Sequence, residues 1–340
     1  MQAMSSKSAS LNAVHQSSFL KRLSIVSAFS VGLLFSAVTL AAEPLKIGYS
    51  DWPGFVAWQV AIDKGWFKEA GVDVKFEWFD YGASIEAYSA GKLDSVGLTN
   101  GDALTVGAGG AKNTMIMITD YSNGNDMIIA KPGIKSLKDL KGKKVGIELG
   151  IVDHLLLLYG LEKAGMKESD LTLVNTKIND TPQALKSGDL AAIGVFQPSA
   201  GQALKLVPGS KPIYTSAQAP GLIYDVFVVT PASLSSRKAD WAKVVGVWGK
   251  VVSYINDPKT QADALKIMSA RVGLTPKEYQ PFLKGTKLHT LADGKAAMVK
   301  ADGLKSLFGS SKISDDFNVK NAIYKSPQDI DKAIDTTFYK

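Results

Sequence analysis

The chain has 340 residues, 39 Lys and Arg against 32 Asp and Glu, a formal net charge of +7, three histidines and no cysteine. Without cysteine there is no disulfide staple and no lipid-linked amino-terminal cysteine, so the fold rests on a buried core, which this length can supply. No basic cluster is interleaved with aromatics, so nothing points to nucleic acid as a partner.

Residues 1–42 carry Lys7, Lys21 and Arg22 and no acid, and the stretch from Leu23 to Leu40 is apolar and uncharged, ending at Ala41-Ala42-Glu43. A basic start, an apolar run and small residues before a polar segment predict a signal peptide over 1–42, cut after Ala41 or Ala42. The expected location is therefore the periplasm. A membrane anchor is the competing reading, since an apolar run of about this length can span a bilayer. Serines and a glycine inside the run favour cleavage.

One plan is then written twice. From Lys46 the chain runs through Ile47-Gly48-Tyr49, a helix to Glu69-Ala70-Gly71, a strand over Val72 to Phe79, and Gly91-Lys92-Leu93 leading through Val96-Gly97-Leu98 to Asp102. From Lys144 it runs through Val145-Gly146-Ile147, a helix over His154 to Ala164, a strand over Asp170 to Thr176, and Gly188-Asp189-Leu190 leading to Phe196-Gln197-Pro198. The framing glycines, Gly48 with Gly97 and Gly146 with Gly194, lie 49 and 48 residues apart. Strands alternating with helices predict parallel α/β sheets, and two copies predict two similar lobes. Such sheets bind ligands beyond the carboxyl ends of their strands.

Met127 to Ala130 and Tyr224 to Thr230 read as extended segments crossing between the lobes, and two crossings make a hinge. The first lobe is expected over 43–131 and 225–340, the second over 132–224. From Ala239 onward the pattern is helical, a tail expected to pack back on the first lobe. The fold class is thus α/β, two-lobed, with two crossing strands and a helical carboxyl-terminal tail.

Ile151-Val152-Asp153-His154, Leu161-Glu162-Lys163-Ala164-Gly165, Ala184 to Asp189 and Phe196-Gln197-Pro198 together resemble the nitrate/sulfonate/taurine group of ABC-transporter solute-binding proteins. Lys64-Gly65-Trp66-Phe67-Lys68-Glu69-Ala70-Gly71 and Ile134 to Lys143 carry the same resemblance, which covers nearly all of the chain after residue 42. It implies a type II periplasmic binding fold and a monomer that closes on a small solute. It also implies an ABC permease with its ATPase as partners, and neither enzymatic activity nor cofactor. The loops Ser50 to Gly54, Thr119 to Asp126 and Gly221 to Asp225 look most like binding proteins of transporters found beside urea/guanidine carboxylase. One departure matters. The family usually places a glutamate, often with a tryptophan, before the proline of the second repeat, where Phe196 and Gln197 stand here.

The residues themselves point to the charge of the solute. Asp51, Asp80, Asp102, Asp120, Asp126, Asp153 and Asp225 lie at strand ends or in the turns after them, among Trp52, Tyr81, Tyr121 and Tyr224. After residue 42 the only arginines are Arg237 and Arg271, both in the tail. Nitrate and sulfonate sites favour Arg, Lys or helix-terminal N–H donors, whereas acids with aromatic faces suit a cation such as guanidinium. The candidate ligand-binding residues are Asp51, Trp52, Asp80, Tyr81, Asn100, Asp102, Asp120, Asn125, Asp153, Gln197, Tyr224 and Asp225. Asn100, Asn125 and Gln197 are expected to give neutral bonds that fix orientation.

Each has a plainer reading. Asp51 and Asp153 begin helices, where aspartate often serves only as a cap, and Asp80 with Tyr81 could cap the next helix. Asp102 follows Asn100-Gly101, a common turn, and the strand-end Asp225 could face water. His154, Trp58, Trp241 and Trp248 read as packing. An anionic or zwitterionic solute, such as taurine, an aliphatic sulfonate or nitrate held on helix N-termini, stays open, as does a chemosensory receptor on the same fold. An enzyme is the other class. The chain has no Gly-rich phosphate loop, no Gly-x-Ser-x-Gly turn and no metal-ligand spacing of histidines. The pyrimidine synthases of thiamine biosynthesis share the implied fold but carry a cysteine-rich motif absent here.

Overall fold

A computed structural model describes residues 43–339; the expected signal peptide lies outside them. Among the described residues eleven strands form two sheets. The first contains β1 (Leu45–Tyr49), β2 (Val74–Trp78), β3 (Ser95–Thr99), β4 (Thr114–Ser122), β10 (Tyr224–Val229) and β11 (Thr286–Leu288), in the order β11-β4-β10-β3-β1-β2. The second contains β5 (Asp126–Ala130), β6 (Lys144–Ile147), β7 (Thr172–Asn175), β8 (Ala192–Phe196) and β9 (Lys211–Thr215), in the order β7-β6-β8-β5-β9.

The repeat is visible in this order. β1 lies parallel between β2 and β3, and β6 lies parallel between β7 and β8. Each trio is then flanked by an antiparallel strand that has just arrived from the other sheet: β10 beside β3, β5 beside β8. These two runs were expected to be the crossings themselves. They are sheet strands, because an apolar run with neighbours on both sides and helices on both faces is best buried inside a sheet; every residue of β10 is buried. The chain passes between sheets just before them, at 123–125 and 216–223. Asp126–Ala130 therefore sits in the second sheet, ahead of the boundary expected at 131, and Tyr224 sits in the first.

Trp58 is core, as its helical spacing suggests: its ring stacks near Phe67, Phe76, Phe227 and Trp248, with centroids 4.8–5.8 Å apart. Trp241 and Trp248 are also fully buried, along the helix Lys238–Asn256. The tail packs on the first sheet but also reaches the second. Phe317, on the helix Leu307–Lys320, lies 5.5 Å from Tyr159, and Lys320 pairs with Glu162, both partners on the helix Val152–Lys163. On another tail helix, Pro276–Gly285, Glu278 meets Lys205 at 2.9 Å. Exposed pairs of this kind contribute about 1 kcal/mol or less. Among the described residues no helix is long and apolar enough to cross a membrane.

Candidate functional site

The carboxyl ends of the parallel strands bring a set of aspartates together out of water. β1 ends at Tyr49, and Pro53 starts a short helix directly after Trp52. The Trp52 indole N–H donates to Asp120 Oδ1 at 3.0 Å. Gly54 lets that carboxylate in, since a Cβ on Gly54 would overlap it. Asp120 in β4 stands opposite Asp225 in β10.

β3 ends at Thr99, whose hydroxyl accepts the Asp102 N–H at 3.1 Å and caps the helix Asn100–Ala108. The Tyr81 hydroxyl accepts the Thr99 N–H at 3.0 Å and donates to Asp102 Oδ2. From the second sheet, Asp126 opens β5 opposite Phe196 at the end of β8, and Asp153 sits in the first turn of the helix Val152–Lys163. Gly194 makes room for that helix: a Cβ there would lie 3.1 Å from Asp153 Cβ. The Phe196 ring closes the gap between the two sheets' loops. It meets Trp52 edge-on at 5.7 Å and Tyr81 edge-on at 5.6 Å.

Asp102, Asp120, Asp126, Asp153 and Asp225 are all buried. One oxygen each of Asp51, Asp120, Asp126 and Asp225, and both oxygens of Asp153, are buried with no hydrogen-bond partner in the protein. None of these acids takes part in an ion pair among the described residues. Holding an ionised carboxylate in such a place costs several kcal/mol, so the acids hold their protons tightly. Burial pushes Asp51 and Asp102 up to about 7, with the Tyr81 and Thr99 hydrogen bonds opposing the rise at Asp102. Burial raises Asp120 and Asp126 too, and it raises Asp153 and Asp225 further, helped by the neighbouring carboxylates. Among the described residues no three His, Cys, Asp or Glu side chains converge at metal-holding geometry.

Other residues expected here make their hydrogen bonds within the protein or lie on its surface. The Asn100 amide donates to Ser310 and Ser311 at 3.0 and 3.3 Å and accepts the Tyr224 N–H at 3.1 Å, tying the tail to β10. The Asn125 amide donates to the Phe282 carbonyl and Thr286 Oγ1, both at 2.7 Å. Gln197 Oε1 accepts the Gly201 N–H at 3.0 Å. The Tyr224 hydroxyl donates to the Leu304 carbonyl at 3.0 Å, and its ring packs against Tyr121 and His289. Asp80 is exposed and lines a 180 Å³ surface cleft with Tyr81, Glu86, Glu148, Lys177 and Asp180. Larger grooves, such as the 650 Å³ one beside Tyr49, Phe67 and Phe76, lie away from the acids. Conversely, Asp126 and Phe196 belong to the cluster although they were not among the candidate residues. Their signal was positional: an acid opening an apolar run, and an aromatic one place before Gln197-Pro198.

The family profile described as NMT1/THI5 like matches residues 52–231. A Brucella abortus protein, named as a binding protein without a stated solute, is 33% identical over 186 residues, covering 54% of this chain and 57% of that protein. The arginine-binding extracellular protein of Bacillus subtilis is 28% identical over 170 residues, covering 46% of this chain and 62% of its own. The chain thus spans little more than half the length of these curated relatives. Among solved structures, the alkanesulfonate-binding protein of Xanthomonas axonopodis pv. citri bound to MOPS superposes with a TM-score of 0.73 at 18% identity, covering 86% of this chain and 99% of that one. That likeness shows the two-sheet fold of periplasmic binding proteins and leaves the solute to the residues. The chain belongs to the NMT1/THI5-like family.

Proposed function

We propose that this protein is the periplasmic solute-binding component of an ABC importer, and that its solute is a small monovalent cation of guanidinium shape. The observation that carries this reading is the set of buried aspartate oxygens with neither a basic side chain nor a hydrogen-bond donor on them. A nitrate or sulfonate placed there would add negative charge to a site with no compensating cation. Guanidinium offers N–H donors around its whole edge and bare π faces above and below. The carboxylates suit the edge, and Trp52, Tyr81 and Phe196 suit the faces, each ring adding about 0.5–2 kcal/mol depending on desolvation.

Asp102, Asp120, Asp126, Asp153 and Asp225 hold the cation in this reading, and Trp52 positions Asp120. Closure of the loops beyond the two sheets buries the load for delivery to the permease and its ATPase. Calorimetric titration of the protein with guanidinium chloride, taurine and nitrate tests it. Guanidinium should bind and the two anionic-group solutes should give no heat; tight binding of taurine or nitrate with guanidinium inert would refute the cationic site.

A further inference from the structure

We propose that Asp120 and Asp225 act as one acid, sharing a proton across β4 and β10 in the solute-free protein and releasing it to solvent as a monovalent cation enters. The inference rests on the cationic solute proposed above and names how the same site is regulated.

The two residues are cross-strand neighbours beside a β-bulge, and paired positions of this kind have Cβ atoms roughly 4.5–5.5 Å apart. They are 0% and 2% exposed. Asp120 cannot turn away, because Trp52 holds Oδ1 and Gly54 backs the other oxygen. That leaves Oδ2 of Asp120 and Oδ2 of Asp225 as the two free ends of the pair, neither with a partner. Two carboxylates held so close in a dry site cannot both ionise.

Besides the Trp52 indole N–H and the Thr119 hydroxyl, the titratable groups around them are acids and phenols. Tyr81 approaches from the helix after β2, Asp102 from the helix after β3, and Asp126 from β5. Tyr279 faces them from the tail, while Asp153 and Glu148 flank Asp102 and Asp126. No base lies among them to take the proton internally. When the cation enters, the shared O–H bond breaks, the proton passes to water, and an N–H of the cation takes over the freed oxygen lone pair. One positive charge leaves as one arrives, so the buried charge is unchanged.

Two measurements test this. Guanidinium chloride is titrated into the full-length mature protein at pH 7 in phosphate and in Tris, buffers with different heats of ionisation. The heats should differ by the equivalent of about one proton, and the affinity should weaken by about tenfold per pH unit on acidification below 7. Asp225→Asn should lower the proton count by about one. Guanidinium bound with equal heats in both buffers would overturn the shared proton and leave the cationic site standing. The infrared spectrum of the solute-free protein at pH 7 is the second measurement and needs no ligand. A protonated carboxyl stretch, weakened in Asp225→Asn, supports the pair, and its absence from the wild type overturns it. Failure of guanidinium to bind refutes the cationic solute, and the infrared band then decides the pair alone.

Discussion

Replacing Asp102 with asparagine should change how stability depends on pH. Asp102 is buried, and burial pushes its pKa up to about 7, against about 4 in an unfolded chain. The folded state therefore binds this proton more tightly than the unfolded state does. Its contribution to stability is fully present below pH 4 and is lost as pH rises through 7. Each pH unit inside that window is worth about 1.4 kcal/mol, so from pH 5 to 7 the wild type should lose about 3 kcal/mol that the variant does not lose. Asparagine keeps an oxygen for the Tyr81 hydroxyl, and its charge cannot change. Buried His154 and His289 pull the other way: burial lowers both, His289 to about 4. They are common to both proteins and cancel in the difference. Thermal melting of solute-free wild type and Asp102→Asn across pH 5–7 reads the effect. The melting temperature of the variant should rise relative to wild type by about 6 °C over that span. Parallel curves would refute the tight hold of the proton, and with it the strongly desolvated acid cluster.

Three further substitutions separate site from scaffold. Gly54→Ala places a methyl group where the Asp120 carboxylate sits, so guanidinium affinity measured by calorimetry should fall at least about tenfold, the worth of one charge-assisted hydrogen bond. Asn100→Ala removes bonds to Ser310, Ser311 and the Tyr224 N–H; about 2 kcal/mol of stability should go, lowering the melting temperature by about 4 °C. Asp80→Asn changes an exposed residue outside the cluster, and guanidinium affinity should stay within about twofold of wild type, as for most surface changes.

The doubled βα plan was readable because it depends on local alternation. Gly48 and Gly146 mark the first strand of each copy, and both first strands lie between two parallel neighbours. Which acids turn inward was not readable, because Asp80 and Asp102 both stand at a helix start yet only Asp102 is covered, by Tyr81 and by the second sheet's helix. The apolar runs Met127 to Ala130 and Tyr224 to Thr230 looked like crossings since each lies at an expected lobe boundary; their hydrogen-bond partners are too distant in sequence to foresee. Asp126 was read among the strand-end acids but left out of the candidate residues, and its place opposite Phe196 arises only through the antiparallel register of β5 with β8. Asn100, Asn125 and Tyr224 carry polar groups suited to a ligand, but each has a partner in the tail, 210, 157 and 80 residues away.

The claim that charge decides what enters this site is tested most directly by one ratio. Urea has nearly the size and flat shape of guanidinium but carries no charge, so competition calorimetry of the two at pH 8 isolates the contribution of the aspartates. Guanidinium should bind at least about a thousandfold more tightly, the scale of losing a buried charge-assisted pair. Urea binding as well as guanidinium, or better, would contradict the account.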